Sequence, residues 1–237
     1  MPQNTFERIE IKYLLSAWQY EEMRKRLSAY MDEDEYGWSE IKSLYYDTCD
    51  YKIIRASIEK PVYKEKLRLR AYGCELSDES KVFLELKKKY KGIVYKRRIC
   101  LSYKEAMDYL NKGIYPAKDS QILREIDYFI QLYKPNRSTF IGYDRVALKG
   151  REDSNIRITF DRDIVAKLGA RDFTMDGAAT DALLKPGESL MEIKVSEAMP
   201  LWLTDILSEL EIYPTSFSKY GKAYLNMIKE KRIAKEV

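Results

Sequence analysis

Lys66-Leu67-Arg68-Leu69-Arg70 alternates charge and apolarity with a period of two, the mark of a β-strand. Lys66, Arg68 and Arg70 share one face; Leu67 and Leu69 share the other. Three cations side by side on a sheet face repel each other unless water or an anion sits among them. The stretch Phe83-Leu84-Glu85-Leu86-Lys87 repeats the pattern, with Glu85, Lys87 and Lys89 opposite Leu84 and Leu86. A third strand sets Lys96, Arg98 and Cys100 against Arg97, Ile99 and Leu101, and Arg97 interrupts its apolar side. These strands build a polar face suited to an anion.

Outward from them, Arg8-Ile9-Glu10-Ile11-Lys12-Tyr13 reads as the first strand. Ser16 can N-cap a helix through about Tyr30, with Trp18, Met23, Leu27 and Tyr30 as its apolar positions. Asp32 to Glu35 reads as an acidic turn before a strand from Ile41 to Asp47. A short helix over Tyr51 to Glu59 stops at Pro61. Helical patterns cover Lys104 to Asn111 and Asp119 to Tyr133, separated by Gly113 and Pro116. Arg137 to Lys149, Ile156 to Ala166 and Leu190 to Ser196 read as strands, with a loop over Gly169 to Gly187. Pro200 opens a helix to about Leu210, and a last helix follows Gly221.

Composition excludes several classes. The chain has no His, which removes Ser-His and Cys-His catalysis, His-ligated zinc and imidazole acid–base chemistry together. Charged residues reach 34%, yet net charge is only +4, so a uniformly basic nucleic-acid surface is not indicated. No apolar run approaches the roughly 20 residues of a membrane span, and Met1 to Glu10 lacks a signal-peptide core. Cys49, Cys74 and Cys100 show no metal spacing, and a reduced, cytoplasmic protein is the simplest reading. The chemistry left is that of carboxylates, ammonium and guanidinium groups, hydroxyls and an oxygen-loving metal.

About eight strands emerge, antiparallel by their short connections. Two architectures fit the pattern. One is an open sheet with a solvated charged face and helices under its apolar face. The other is a closed barrel with helices outside and a charged lumen. Lys12, Arg68, Arg70, Lys87, Arg98, Arg145, Arg157 and Lys194 recur at strand centres. That density of cations favours closure around a polyanion. The expectation is an α+β fold: one domain over residues 1–237, a closed antiparallel eight-stranded β-barrel tunnel with peripheral helices.

Seven short motifs then appear in one order. They are Lys12 before an aromatic, Leu67-Arg68-Leu69-Arg70 ahead of Tyr72-Gly73, Phe83 to Lys87, Tyr143-Asp144-Arg145, Arg157 to Asp161, Met191-Glu192-Ile193-Lys194, and Phe217-Ser218-Lys219-Tyr220-Gly221. In this order they resemble the triphosphate tunnel metalloenzymes, and within them the polyphosphate-polymerase domain of the vacuolar transporter chaperone (VTC) family. The resemblance implies an antiparallel barrel that binds triphosphate chains. It implies ATP-driven polyphosphate synthesis, with triphosphate hydrolysis or non-catalytic polyphosphate binding as alternatives. Arg8 stands where the tunnel enzymes broadly favour a glutamate, which resembles the polymerase branch more than the hydrolases. Ser216 stands where the fungal polymerases tend to carry a basic residue.

Site residues follow from chemistry and resemblance together. Arg forks grip phosphate oxygens two at a time, and Lys supplies point charge. The expected catalytic set is Lys12, Arg68, Arg70, Lys87, Arg145 and Lys219. Arg98, Arg157, Lys194 and Ser218 join them in binding ATP and polyphosphate. Mn²⁺ or Mg²⁺ is the expected cofactor. Glu192 is the first choice of ligand, with Glu10 and Glu85 second. The Tyr45-Tyr46 pair suits either a purine base or ordinary packing. No nucleic-acid partner and no membrane span are expected, and a membrane-protein partner stays open.

Overall fold

The computed structural model describes residues 9–73, 75–91, 93–117, 119–170, 172–173, 180–196 and 198–236. Arg8, Cys74 and part of the expected 169–187 loop lie outside the described residues. In chain order the elements are β1 (Ile9–Leu15), α1 (Ala17–Leu27), β2 (Met31–Asp47), α2 (Lys52–Ile58), β3 (Tyr63–Tyr72), β4 (Lys81–Tyr90), β5 (Ile93–Ser102), α3 (Tyr103–Lys112), α4 (Gln121–Tyr133), β6 (Asn136–Gly150), β7 (Arg157–Leu168), β8 (Asp181–Ala182), β9 (Ser189–Val195), α5 (Leu201–Glu209), β10 (Pro214–Thr215) and α6 (Lys219–Glu236). The chain sorts into two compact units. One comprises residues 1–39, 143–164 and 182–218; the other comprises 40–142, 165–181 and 219–237.

In the first unit, α1 starts where Ser16 and Gln19 cap each other's backbone N–H groups, a reciprocal capping box. Tyr20, Met23 and Leu27 bury its inner stripe. Trp18, expected on that stripe, is exposed. Tyr30 falls beyond the helix and stacks on Trp202, with ring centroids 4.2 Å apart. The acidic turn expected over Asp32 to Glu35 is instead the start of the long strand β2. Its alternate carboxylates meet cations: Arg151 pairs with Asp32 at 2.8 Å and Arg157 with Asp34 at 2.6 Å. Those pairs override a local composition that favours a turn. The core packs Leu15, Met23, Leu27, Ile158, Phe160, Met191, Ile193 and Leu203 together.

In the second unit, β2, β3, β4 and β5 pair antiparallel in succession. Leu67, Leu69, Leu84 and Leu86 face the core, where Leu123, Ile126 and Phe129 of α4 and Ala106 and Tyr109 of α3 also pack. Ser102 with Glu105 caps α3 by a second capping box, and Ser120 caps α4. Arg97, out of place on an apolar strand face, is explained by α4: Glu125 accepts from Arg97 at 3.3 Å and from Lys88 at 3.0 Å.

The sheet corrects the expected barrel. Its strands follow the order β10-β1-β9-β7-β6-β2-β3-β4-β5, with β8 on β7, and among the described residues the ten-stranded path does not close. The α+β class stands; the closed eight-stranded tunnel with a charged lumen does not. One terminal strand, β10, has two residues, and Pro214 contributes no N–H to a ladder. So short an end cannot pair along the ten residues of β5 at the other terminus. Alternation along each strand is the same in an open and a closed sheet.

Candidate functional site

The second unit carries the strand face built from Lys66 to Arg70. Register sets Lys66 opposite Lys87, and Lys87 opposite Lys96, a row of three ammonium-bearing residues across β3, β4 and β5. The adjacent row runs Tyr45, Arg68, Glu85, Arg98 from β2 to β5. Glu85 is 1% exposed and ties the row together. Its Oε2 lies 2.8 Å from Arg68 Nε and 4.0 Å from Arg70 Nε; its Oε1 lies 2.7 Å from Lys96 Nζ and 3.5 Å from Arg98 Nε. Burial alone would raise the Glu85 carboxyl, but Arg68, Arg70 and Lys96 outweigh it and lower it to about 2.

The flanking side chains aim these guanidinium groups. Arg68 Nη1 donates to the Tyr45 hydroxyl at 3.0 Å, and Arg70 Nε donates to Ser43 Oγ at 3.3 Å. The Arg98 guanidinium lies over the Phe83 ring, 3.4 Å from its centroid. Burial would raise the Tyr45 phenol, yet Arg68, Arg70 and Lys66 bring it down to about 8. At the end of this face the Lys64 ammonium is lowered by burial and then by Lys89, Lys60 and Lys87. The field is strongly positive. An anion placed here meets preset charge at little cost in reorganisation.

The first unit holds a different cluster. Lys12 lies opposite Glu192, which lies opposite Thr159; in the next row Glu10, Lys194 and Arg157 align. Lys12 Nζ is 3.3 Å from Glu192 Oε1 and 3.8 Å from Glu10 Oε1, and it donates to the Phe217 carbonyl at 3.0 Å. Arg145 grips Asp161 with two parallel bonds of 2.6 and 2.7 Å and reaches Glu192 Oε2 at 4.0 Å. Burial works against the Arg145 charge, but Asp161, Tyr143 and Glu192 keep it firmly protonated. Arg157 is half exposed and engaged by Asp34.

Lys219 opens α6 and is half-buried, and Ser218 before it is exposed. Within the second unit the Tyr220 ring stacks on Tyr45 at 4.7 Å, so the first turn of α6 is linked through Tyr45 to Arg68. Tyr45 therefore packs on a neighbour's ring. Tyr46 is buried, which raises its phenol.

Sequence reasoning passes over Lys96, Asp161, Ser43 and Tyr220 as site residues. The signal for Lys96 is legible, since it alternates with Arg98 on β5. Nothing local shows that Asp161 faces Arg145 or that Tyr220 reaches Tyr45, because these contacts join distant segments. For metal, the described residues include no group of three or more His, Cys, Asp or Glu side chains that could hold an ion.

Cationic strand rows, a buried arginine-bound carboxylate and clustered carboxylates and lysines make a surface suited to a polyanion. The chain matches the model of the VTC domain over residues 7–228, and it belongs to that family. At family level the match supports phosphate-transferring or phosphate-hydrolysing chemistry, and domains of this kind bind nucleoside triphosphates and polyphosphate. Among solved structures, a candidate adenylate cyclase from Bacillus halodurans is similar at a TM-score of 0.54 and 14% identity, over 90% of this chain and 95% of that one. A candidate adenylate cyclase from Vibrio parahaemolyticus has a TM-score of 0.47 at 11% identity, over 93% and 98%. A protein from Pyrococcus horikoshii OT3 has a TM-score of 0.45 at 14% identity, over 94% and 99%. The first of these likenesses speaks for the fold alone. No curated protein matches the chain. No helix among the described residues is long and apolar enough to cross a membrane.

Proposed function

We propose that this chain is a polyphosphate-polymerase-like enzyme that moves the terminal phosphoryl group of ATP onto a growing polyphosphate chain. The observation that carries the reading is the pair of cross-strand rows, Lys66-Lys87-Lys96 and Arg68-Glu85-Arg98, on one face of β3, β4 and β5. Phosphoryl transfer needs alignment and charge neutralisation more than covalent help. Arg68, Arg70 and Arg98 would bind phosphoryl oxygens as forks, with Lys87 supplying point charge. Lys12, Arg145, Lys194 and Arg157 supply phosphate-binding charge in the other unit, and at the start of α6 Lys219 supplies charge and Ser218 a hydroxyl donor. In the step itself the bond from the ATP β,γ-bridging oxygen to the γ-phosphorus breaks. A terminal oxygen of the acceptor chain bonds to that phosphorus, and ADP leaves with the electron pair.

The carboxylates present fit a Mg²⁺ or Mn²⁺ ion of the kind that takes one or two protein carboxylates and completes its shell with phosphate oxygens and water. Glu192 and Glu10, which share Lys12, would hold it. Bound there, such an ion neutralises phosphoryl oxygens. Glu85 has the opposite role. It faces four cations and keeps the empty face together until phosphate replaces it.

The reading is tested by incubating the protein with ATP and Mn²⁺ or Mg²⁺. Long chains on a gel are expected. Free phosphate without chains would make the enzyme a triphosphate hydrolase, and thermal protection without turnover would make it a polyphosphate-binding regulator. Arg68→Ala and Arg70→Ala should each shrink the melting shift induced by tripolyphosphate. An unchanged shift in both would remove this face from the site.

A further inference from the structure

Asp47 closes β2 and is 1% exposed. Its Oδ1 accepts from the backbone of Thr48 at 2.8 Å and of Ile53 at 2.9 Å, and its Oδ2 accepts from Ile54 at 3.0 Å. The carboxylate thus satisfies the amino end of α2 from outside that helix. One further bond is not explained by capping. The Tyr220 hydroxyl, from the first turn of α6, donates to Asp47 Oδ2 at 2.7 Å. The same hydroxyl lies 3.0 Å from Ser138 Oγ of β6. Since the phenol proton goes to Asp47, Ser138 is the donor in that second contact. Burial, followed by the Asp47 charge, raises the Tyr220 phenol, so it stays a donor at all ordinary pH. On its ring face Tyr220 stacks against Tyr45, whose hydroxyl accepts from Arg68.

The buried contacts of Tyr220 therefore join three places in the second unit: the end of β2, the start of β6 and, through Tyr45, Arg68 of β3. Lys219 is the neighbouring residue. A lysine on four rotatable bonds contributes most to binding when its backbone is held in place. We propose that Asp47 and Tyr220 are positioning residues that seat the first turn of α6, so that Lys219 meets the phosphoryl group of a chain held by Arg68. The proposal rests on the phosphate-binding reading given above. A tyrosine that only filled the core would need its ring, which Phe supplies equally. The hydroxyl, bonded to a buried carboxylate, fixes the helix start in rotation as well as in depth.

The experiment is a double-mutant cycle of Tyr220→Phe and Lys219→Ala, with tripolyphosphate binding measured by calorimetry well below every melting temperature. Each single variant is expected to weaken binding roughly tenfold, the scale of a lost charge-assisted hydrogen bond. The double variant is expected to be no weaker than Lys219→Ala alone, because Tyr220 acts through that lysine. Ser138→Ala, which removes the donor to the phenol together with a contact to the neighbouring Thr139 and leaves the Asp47 bond in place, should weaken binding less and in the same direction. It stands in if Tyr220→Phe fails to fold. Wild-type affinity in Tyr220→Phe and Ser138→Ala, wild-type affinity in Lys219→Ala, or additive losses would each overturn the proposal. A native protein that binds no tripolyphosphate would instead overturn the functional reading beneath it.

Discussion

Glu85 is a buried carboxylate whose neighbours are nearly all cationic, and its titration is the clearest residue-level handle on the site. Its folded-state pKa is about 2, below the ordinary 4.5, because Arg68, Arg70 and Lys96 overcome the opposing effect of burial. A depressed carboxylate stabilises the fold fully above its unfolded pKa and loses that contribution as pH falls through the folded one. Glu85→Gln should therefore cost on the order of 3 kcal/mol at neutral pH. The gap from the native protein should narrow below about pH 4.5 and close near pH 2 in urea titrations. The same variant leaves the arginine cluster without its counter-charge, so tripolyphosphate should raise its melting temperature more than it raises that of the native chain. An equal rise would mean that the ligand does not touch the cations that Glu85 balances. Glu192→Gln should behave differently. It removes charge beside Lys12 and Arg145, so turnover should collapse while phosphate binding survives. Full metal-dependent activity in Glu192→Gln would shift the ion to Glu10. The existence of these cations and carboxylates is legible in the alternating strands. Their partners are not, because a strand's own sequence does not state its register.

At the scale of elements, local signals are strongest where the chain closes on itself within a few residues. Ser16 before α1 is readable as a cap because a serine three residues ahead of Gln19 satisfies backbone donors with no help from elsewhere. The start of β2 reads as a turn because Asp32 and Asp34 become strand residues only when Arg151 and Arg157 lie beside them. The turn joining β6 to β7 offers a test of close backbone approach. Gly150 N–H donates to the Ile156 carbonyl at 3.0 Å, and a Cβ added at Gly150 would stand 2.4 Å from the Asp153 carbonyl oxygen. Gly150→Ala should destabilise the protein by roughly 1–3 kcal/mol, since backbone cannot move aside as a side chain can. A loss too small to measure by chemical denaturation would show that the turn relaxes freely.

At the scale of the whole sheet, an open path leaves terminal strands that a barrel would not have. β5 ends the path and carries Lys96, Arg97 and Arg98 in succession. Charge on an edge strand discourages pairing with another chain. Replacing Lys96 and Arg98 together by Thr keeps strand propensity and removes two of those three charges. The variant should form larger species than the native chain in sedimentation velocity at equal concentration. An unchanged distribution would show that these cations serve the phosphate face alone.

Alternation in Lys66 to Arg70, Phe83 to Lys87 and Lys96 to Leu101 by itself determined that these segments are strands, which side chains share a face, and that the face is cationic. The order of motifs from Lys12 to Gly221 determined the family. Both are local properties, carried by a period of two and by short residue strings. Only the tertiary structure decided that the sheet stays open, that Glu85 draws four cations together, that Asp161 takes Arg145 and that Asp47 holds Tyr220. Each of these depends on which distant segments meet. Sheet closure in particular depends on a backbone ladder between terminal strands, and a two-residue strand containing Pro214 cannot supply one.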